Sequence, residues 1–144
     1  MITDRENTVS IQQAVTATAV STDSILISNR DLGRGHPHRF YVDCDEAVTA
    51  AGAATVTFEL VQADNTALST NVEVLATSPA IGKAALLAGT RPFEGIVPRT
   101  SRAHLGIRYT VGTGPLTAGK FTGGIVPVTD SPIADRPIGY TGLA

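Results

Sequence analysis

The fold of this chain is decided by Arg102–Val128, RAHLGIRYTVGTGPLTAGKFTGGIVPV. Apolar and polar residues alternate over Leu105–Val111, which is the pattern of a strand with one buried face. Turn-forming residues interrupt the pattern over Thr113–Gly119, and a second strand follows over Phe121–Val128. We therefore expect a β-hairpin that closes around a Gly-Pro loop in an all-β protein.

Short apolar or β-branched segments recur along the rest of the chain. The clearest lies over residues 54–63, where Val56, Phe58 and Leu60 share one face. Prolines bound the segment 91–98 and favour an edge strand there. About eight or nine short strands without long helical segments predict an antiparallel sandwich of the jelly-roll kind.

Composition changes at both ends of the chain and predicts three segments. Residues 1–13 are polar and are expected to form an N-terminal arm, and residues 14–128 are expected to form a single β-sandwich domain. Residues 129–144 are rich in proline and glycine and cannot continue a central strand. They are expected to be either a loose tail or an extended arm that anchors on a neighbouring subunit through Ile138 and Tyr140.

Charge and cysteine content disfavour several classes of protein. The net charge is −2 and no basic run occurs, which disfavours nucleic-acid binding. No apolar stretch reaches the roughly 20 residues that span a bilayer, and the N-terminus lacks the apolar core of a signal peptide. Cys44 is the single cysteine, so no internal disulfide can form and we expect maturation in a reducing cytoplasm.

Three histidines leave a metal site open as a lesser alternative. His36 and His38 form an H-x-H pair, and with His104 and a carboxylate they are similar to the metal ligands of cupin-type jelly rolls. The glycine and glutamate that the cupin pattern places around this pair are absent, and Arg30 stands at the glycine position. We therefore interpret the histidines as surface or loop residues and predict no metal.

No other motif indicates catalysis. Asp43, Asp45 and Glu46 supply too few oxygen ligands for Ca²⁺ and are interpreted as a solvated acidic turn. The thiolate of Cys44 is disfavoured by these neighbouring carboxylates. The chain contains neither a G-x-S-x-G elbow nor a phosphate-binding loop. We predict that the protein is not an enzyme and carries no cofactor.

Nine residues are candidates for contact with a partner protein. Arginine is enriched in interface hot spots, and glycine-flanked loops can approach a partner closely, although an Arg-rich genome explains the arginine content equally well. A loop tip, Gly-Pro-Leu, and the two apolar residues of the C-terminal segment complete the set. The candidates are Arg34, Arg91, Arg99, Arg102, Arg108, Pro115, Leu116, Ile138 and Tyr140.

Five phrases, in order along residues 1–128, carry a family resemblance: MITDRENTVS, QQAVTATAVST, DLGRG, AAGAATVTFEL and RYTVGTGPLTAGKFTGGIV. In this ordered combination the chain resembles the Bbp16-type capsid cement proteins of tailed bacteriophages. The resemblance implies a jelly-roll-like sandwich that binds the outside of the phage capsid and cements neighbouring major capsid protein subunits against the pressure of packaged DNA. It implies a virion protein that is assembled in the bacterial cytoplasm.

The resemblance also implies partners. We expect the major capsid protein and further copies of this chain, with a homodimer favoured over a homotrimer at the capsid symmetry axes. No nucleic acid and no membrane are expected. A tail, neck or fibre component of the virion is the main alternative, followed by the cupin-like metal protein. A carbohydrate-binding sandwich is disfavoured because the chain has no Trp and only three Tyr to stack on sugars.

Overall fold

The computed structural model describes residues 4–128 of the chain. The strands in chain order are β1 (Thr8–Ala14), β2 (Ala19–Val20), β3 (Ile25–Leu26), β4 (His38–Thr49), β5 (Thr55–Ala63), β6 (Glu73–Thr77), β7 (Ile81–Gly82), β8 (Phe93–Ile96), β9 (His104–Gly112) and β10 (Ala118–Pro127). The helical elements within residues 4–128 are two short 3₁₀ turns, Arg5–Asn7 and Lys83–Ala85. No helix in this part of the chain is long and apolar enough to cross a membrane.

The strands form two antiparallel sheets with the connectivity of a jelly roll. The first sheet has the order β1-β10-β4-β8, and the second has the order β2-β9-β5-β6, with β3 beside β9 and β7 beside β5. Along the series β1, β2, β4, β5, β6, β8, β9 and β10, successive strands alternate between the sheets except at the β5–β6 hairpin, which is the double Greek-key arrangement of this fold. The prediction of an all-β, jelly-roll-like sandwich is confirmed. Strand β8 lies at an edge, as its flanking prolines indicated.

The two strands of the deciding stretch are correct, but their predicted pairing as a hairpin is wrong. Strand β9 pairs with β5 in one sheet, and β10 pairs with β1 and β4 in the other. The two strands therefore face each other across the core, where the rings of Tyr109 and Phe121 stack with centroids 5.4 Å apart. Each strand buries one apolar face, and two such faces are both covered when the strands lie in opposite sheets.

Aromatic rings occupy the centre of the core. Phe58 is fully buried and packs against Phe93, Tyr109 and Phe121, with ring centroids 5.2 to 6.2 Å apart. The hydroxyl of Tyr109 donates to Ser10 Oγ at 2.9 Å, so the buried phenol is paired. Burial raises the pKa of Tyr109, which keeps the ring neutral. All four phenylalanines are buried.

The sandwich begins earlier than the expected boundary at residue 14. Strand β1 already pairs with β10 at Thr8, opposite Gly124. Val9 lies in the core and Ser10 is bonded to Tyr109, so residues 8–13 belong to the sandwich and not to an arm. Register shifts follow Thr8 and Ser10, so Val9 is buried whereas Ile11 is exposed although the two alternate with polar residues in the sequence. The expected C-terminal segment, residues 129–144, lies outside the described residues.

Glycine at 124 is required by a close approach of backbones. A Cβ atom at Gly124 would collide with the carbonyl oxygen of Asn7, where the chain enters β1. The entry of the chain into β1 therefore passes directly over the backbone of β10 at this glycine.

Candidate interface surfaces

The loops of the sandwich gather at two ends that differ in chemistry. The first, the arginine end, consists of residues 27–37, 64–72 and 97–103 and contains four arginines and two aspartates. The second, the small-residue end, consists of residues 15–18, 50–54, 83–90 and 113–117, in which Lys83 is the only charged residue. The jelly-roll connectivity creates this division because alternate loops emerge at opposite ends.

The arginine end is cross-braced by hydrogen bonds around Thr100. Its hydroxyl accepts from the amide of Leu32 at 2.8 Å and donates to the carbonyl of Arg30. One carboxylate oxygen of Asp31 accepts from the amides of Gly33 and Thr100. Thr100 is buried, so these bonds exclude water and hold the two loops in a fixed relation.

Gly33 allows the same two loops to touch. A Cβ atom at this position would lie 2.7 Å from the backbone nitrogen of Arg99 and 2.7 Å from the carbonyl carbon of Pro98. Any side chain would push the loops apart. The backbone of the DLGRG loop therefore closely approaches another backbone segment of the same protein. The exposed side chains that a partner would contact lie beside this point.

The structure places two of the predicted interface arginines together on this end. Arg34 is exposed and makes no ion pair within residues 4–128. The side chain of Arg99 is 84% exposed and reaches Asp31 at 3.6 Å. Both guanidinium groups are available to a partner.

Arg102 lies at the same end but serves the fold. Its guanidinium pairs with Asp64 at 3.2 Å and with Glu73 at 2.6 Å. The amide of Arg102 and that of Ser101 both donate to the buried side chain of Gln62. The guanidinium lowers the pKa of Glu73, and a hydrogen bond from Asn71, followed by Arg102, lowers that of Asp64.

Arg91 lies on the outer face of the first sheet. It bonds both carboxylate oxygens of Asp43, at 2.6 and 3.0 Å, and its guanidinium carbon lies 5.1 Å from the ring centre of Tyr41. Tyr41 is only 2% exposed although it points away from the core. Burial raises the pKa of Tyr41. Arg91 thus covers an aromatic ring and is engaged within the protein.

Arg108 lies on the outer face of the second sheet, opposite Glu59 on the neighbouring strand. The two side chains bond at 2.6 Å, and Thr110 donates to the same oxygen of Glu59 at 3.0 Å. The bond from Arg108 lowers the pKa of Glu59. This is a cross-strand ion pair of the sheet, and Arg108 is not a free contact residue.

Of the predicted loop tip, Gly114 and Pro115 are exposed. Leu116 is 3% exposed and belongs to the core cluster, so its prediction as a contact residue is wrong. The loop spans the two sheets, and its leucine fills the end of the core between them. Ile138 and Tyr140 lie outside the described residues.

The histidine and acidic side chains of the described residues are dispersed. No set of three or more His, Cys, Asp or Glu within residues 4–128 could hold a metal ion. The two rings of His36 and His38 lie 6.3 Å apart, and His104 bonds Ser24 on the edge of the other sheet. The interpretation of Asp43, Asp45 and Glu46 as an acidic turn is wrong, because all three lie within strand β4. Asp43 pairs with Arg91 and Glu46 with Lys120.

The cysteine is a core residue. Cys44 is 1% exposed, and its thiol donates to the carbonyl of Glu46 at 3.2 Å. Burial, and secondarily the carboxylate of Asp45, raises the pKa of the thiol. The expectation that its thiolate is disfavoured is supported by both causes.

Sequence reasoning missed a cleft that adjoins the arginine end. It has a volume of about 310 Å³ and lies between β3 and the end of β10, with Ile25, Leu26, Leu32 and Val126 among its apolar walls. Arg30 and His38 lie in its rim, and Leu26 is 65% exposed. Arg30 directly precedes the DLGRG loop, so its position beside that loop was the signal that could have identified Arg30 as a candidate residue.

Comparison with known proteins identifies the family. The sequence model of the Bbp16 family matches residues 9–125. No curated protein matches the chain. Because the match covers most of the chain, from β1 to β10, the protein belongs to the Bbp16 family.

Proposed function

We propose that this Bbp16-family protein is a capsid cement, or decoration, protein of a tailed bacteriophage. In this role it binds the outside of the capsid and clamps neighbouring major capsid protein subunits against the internal pressure of packaged DNA. The family name supports an association with phage, and the ordered phrases of the sequence support the more specific role.

The observation that carries the proposal is the coincidence of the family match with the sandwich. Residues 9–125 extend from β1 to β10 and include every loop at both ends. The role of the family therefore belongs to the sandwich and its loops. Such a sandwich is a suitable clamp because its interior is close-packed and transmits load with little deformation.

A clamp acts by adding buried surface across the seams of the shell. A standard protein interface buries roughly 1,600 Å², and repetition around a closed shell multiplies its effect without any strong single contact. The shell's own symmetry axes would place copies of this chain in repeated contact. We propose the major capsid protein and a second copy of this chain as partners, with a dimer favoured over a trimer.

We propose a structural role without catalysis or cofactor. The side chains that resemble catalytic groups are engaged in the fold: Cys44 lies in the core, Asp43 is bonded by Arg91, and Glu59 by Arg108. The proposed location is the capsid exterior after assembly in the bacterial cytoplasm. Nucleic acid and membranes are not proposed as partners.

The test is a phage in which this gene is disrupted. We expect capsids that assemble and package DNA but release it at a lower temperature than wild-type capsids, and we expect purified protein to restore the release temperature. An unchanged release temperature would contradict the cement role. Imaging of intact virions separates the main alternative, because density of the sandwich in the tail, neck or fibres would assign the protein there.

A further inference from the structure

The cleft beside the arginine end combines an apolar interior with a cationic rim. Ile25, Leu26 and Leu32 contribute apolar walls, and Leu26 is one of the most exposed large apolar residues among residues 4–128. Its volume of about 310 Å³ is that of a small ligand pocket and accommodates one or two side chains of a partner.

The rim and the loops beside it carry positive charge that the protein does not neutralise. Arg30 lines the cleft, and Arg34 lies four residues further along the same loop. Both are exposed and form no ion pair within residues 4–128, and Arg99 in the adjoining loop has only a long contact with Asp31. By contrast, Arg102 at the same end is held by two carboxylates. The Nδ1 atom of His38, at the cleft wall, is buried without a hydrogen-bond partner in this part of the chain.

The loops that carry Arg30 and Arg34 are also fixed by contacts within the protein itself. The backbone of Arg30 is bonded to Thr100, and the loop of Arg34 is locked against Pro98 and Arg99 by the close approach at Gly33. A preorganised loop loses little conformational entropy on binding, so a contact made there contributes more of its gross energy to affinity.

We propose that this cleft binds an acidic segment of the shell protein, with an apolar side chain in the cleft and carboxylates on Arg30 and Arg34. The inference rests on the proposed function and names the surface through which it acts. Guanidinium groups bind carboxylates through paired, geometrically matched hydrogen bonds, and the buried apolar contact supplies an anchor that charge alone lacks.

A protein partner fits this surface better than a nucleic acid. Nucleic-acid binding depends on many phosphate contacts along a basic track, whereas this chain has a net charge of −2 and only a few exposed arginines at one end. The apolar walls of the cleft have no role in gripping a phosphate backbone. Carboxylates flanking an apolar residue satisfy both features.

Binding to DNA-filled capsids from the gene-disrupted phage tests the inference, with the full chain as ligand. The charge-reversal pair R30E/R34E is expected to bind at least about 30-fold more weakly than wild type at low ionic strength. The control pair K83E/K120E changes the net charge equally but lies away from the cleft, and its affinity should stay within about twofold of wild type. Equal weakening by both pairs would overturn the inference.

A second matched pair tests the apolar contact. Leu26→Asp should weaken capsid binding at least about tenfold, whereas Leu87→Asp, which alters a residue 55% exposed at the small-residue end, should not. Circular dichroism and melting temperature establish that each variant is folded. If the wild-type chain fails to bind the capsids, the proposed function fails and this inference with it. If wild type binds the capsids, and R30E/R34E and Leu26→Asp bind them as tightly as wild type does, only this inference fails.

The chain's own acidic residues, Asp130 and Asp135, are an alternative occupant. The full-length variant D130N/D135N should leave the NMR methyl signals of Ile25 and Leu26 in the free protein unchanged. A shift of those signals together with tighter capsid binding would assign the cleft to the chain's own segment and overturn the inference. Displacement of the protein from capsids by duplex DNA would overturn it in favour of a nucleic-acid site.

Discussion

The two ends of the sandwich are stabilised differently. The arginine end is held by a polar network around Thr100, Asp31 and Gln62, in which side chains satisfy the backbone of neighbouring loops. The small-residue end is held by the buried Leu86 and Leu116 and by backbone bonds, such as that from the Leu116 amide to the carbonyl of Thr16. A polar network positions charged side chains for a partner, whereas the buried leucines of the other end leave a surface that carries little charge.

The largest effect is expected from a substitution that truncates a buried leucine of the small-residue end. Leu116→Ala should lower the free energy of unfolding by about 3 kcal/mol, because it creates a cavity at a site that is almost fully buried. Urea unfolding measures the change. Leu87→Ala at the same end is the control and should cost less than about 0.5 kcal/mol, since Leu87 is exposed. Equal losses would contradict the difference in burial between the two leucines.

The next largest effect is expected from a substitution that pushes two loops of the arginine end apart. Gly33→Ala places a methyl group 2.7 Å from the backbone of Pro98 and Arg99, which cannot move away as a flexible side chain could. We expect a loss of about 2 kcal/mol by urea unfolding. Gly52→Ala is the matched change at the small-residue end, where nothing lies within 4 Å, and should be close to neutral. A neutral Gly33→Ala would show that the two loops are not in contact.

A smaller effect compares one hydroxyl at each end. Thr100→Val keeps the shape of the side chain but leaves the amide of Leu32 and the carbonyl of Arg30 without a partner in a buried site. We expect a loss of about 1.5 kcal/mol. Thr49→Val removes only an exposed bond to Thr117, so its loss should be under about 0.5 kcal/mol. Thermal or urea unfolding of both variants provides the comparison, which fails if Thr49→Val is the more damaging change.

The smallest expected effect is a dependence on pH that distinguishes the arginine end from the small-residue end. The pKa values of Asp64 and Glu73 are lowered in the folded protein, so their contribution is complete above the ordinary range of these acids and is lost as the pH falls through the lowered values. Below about pH 4 we therefore expect faster opening at Ser101 and Arg102. Hydrogen-exchange protection factors, corrected for intrinsic rates, measure this.

The amide of Leu116, at the other end, is the internal reference for that experiment. It is bonded to a backbone carbonyl in a region without carboxylates, so its protection should not change over the same pH range. Loss of protection at both ends together would indicate global unfolding and would contradict a local effect of the ion pairs.

Local pattern was sufficient for the strands but not for their partners. Alternation identified the strand over residues 55–63 and the inward row of Val56, Phe58 and Leu60, all of which are buried. It misassigned β9 and β10 as a hairpin because alternation specifies which face is buried and not which strand lies beside it. Strand β1 was assigned to an arm because residues 1–13 are polar overall, and its place beside β10 depends on residues more than 100 positions away.

The candidate site was only partly predictable for the same reason. Glycine-flanked Arg34 and nearby Arg99 are exposed at one end, as expected of contact residues. Arg91 and Arg108 could not be distinguished from them in the sequence, because their partners, Asp43 and Glu59, lie 48 and 49 residues away. The cleft was invisible because its walls come from β3 and β10, which are distant in the chain.

The class of the fold, most of the strands and the buried row of Val56, Phe58 and Leu60 could be predicted from the sequence, because side-chain alternation and turn chemistry act between neighbouring residues. That β9 and β10 face each other across the core, and that the arginines of separate loops meet at one end, follow from the three-dimensional fold. Strand pairing depends on hydrogen bonds and packing between distant segments, and these become definite only when the two sheets close on each other.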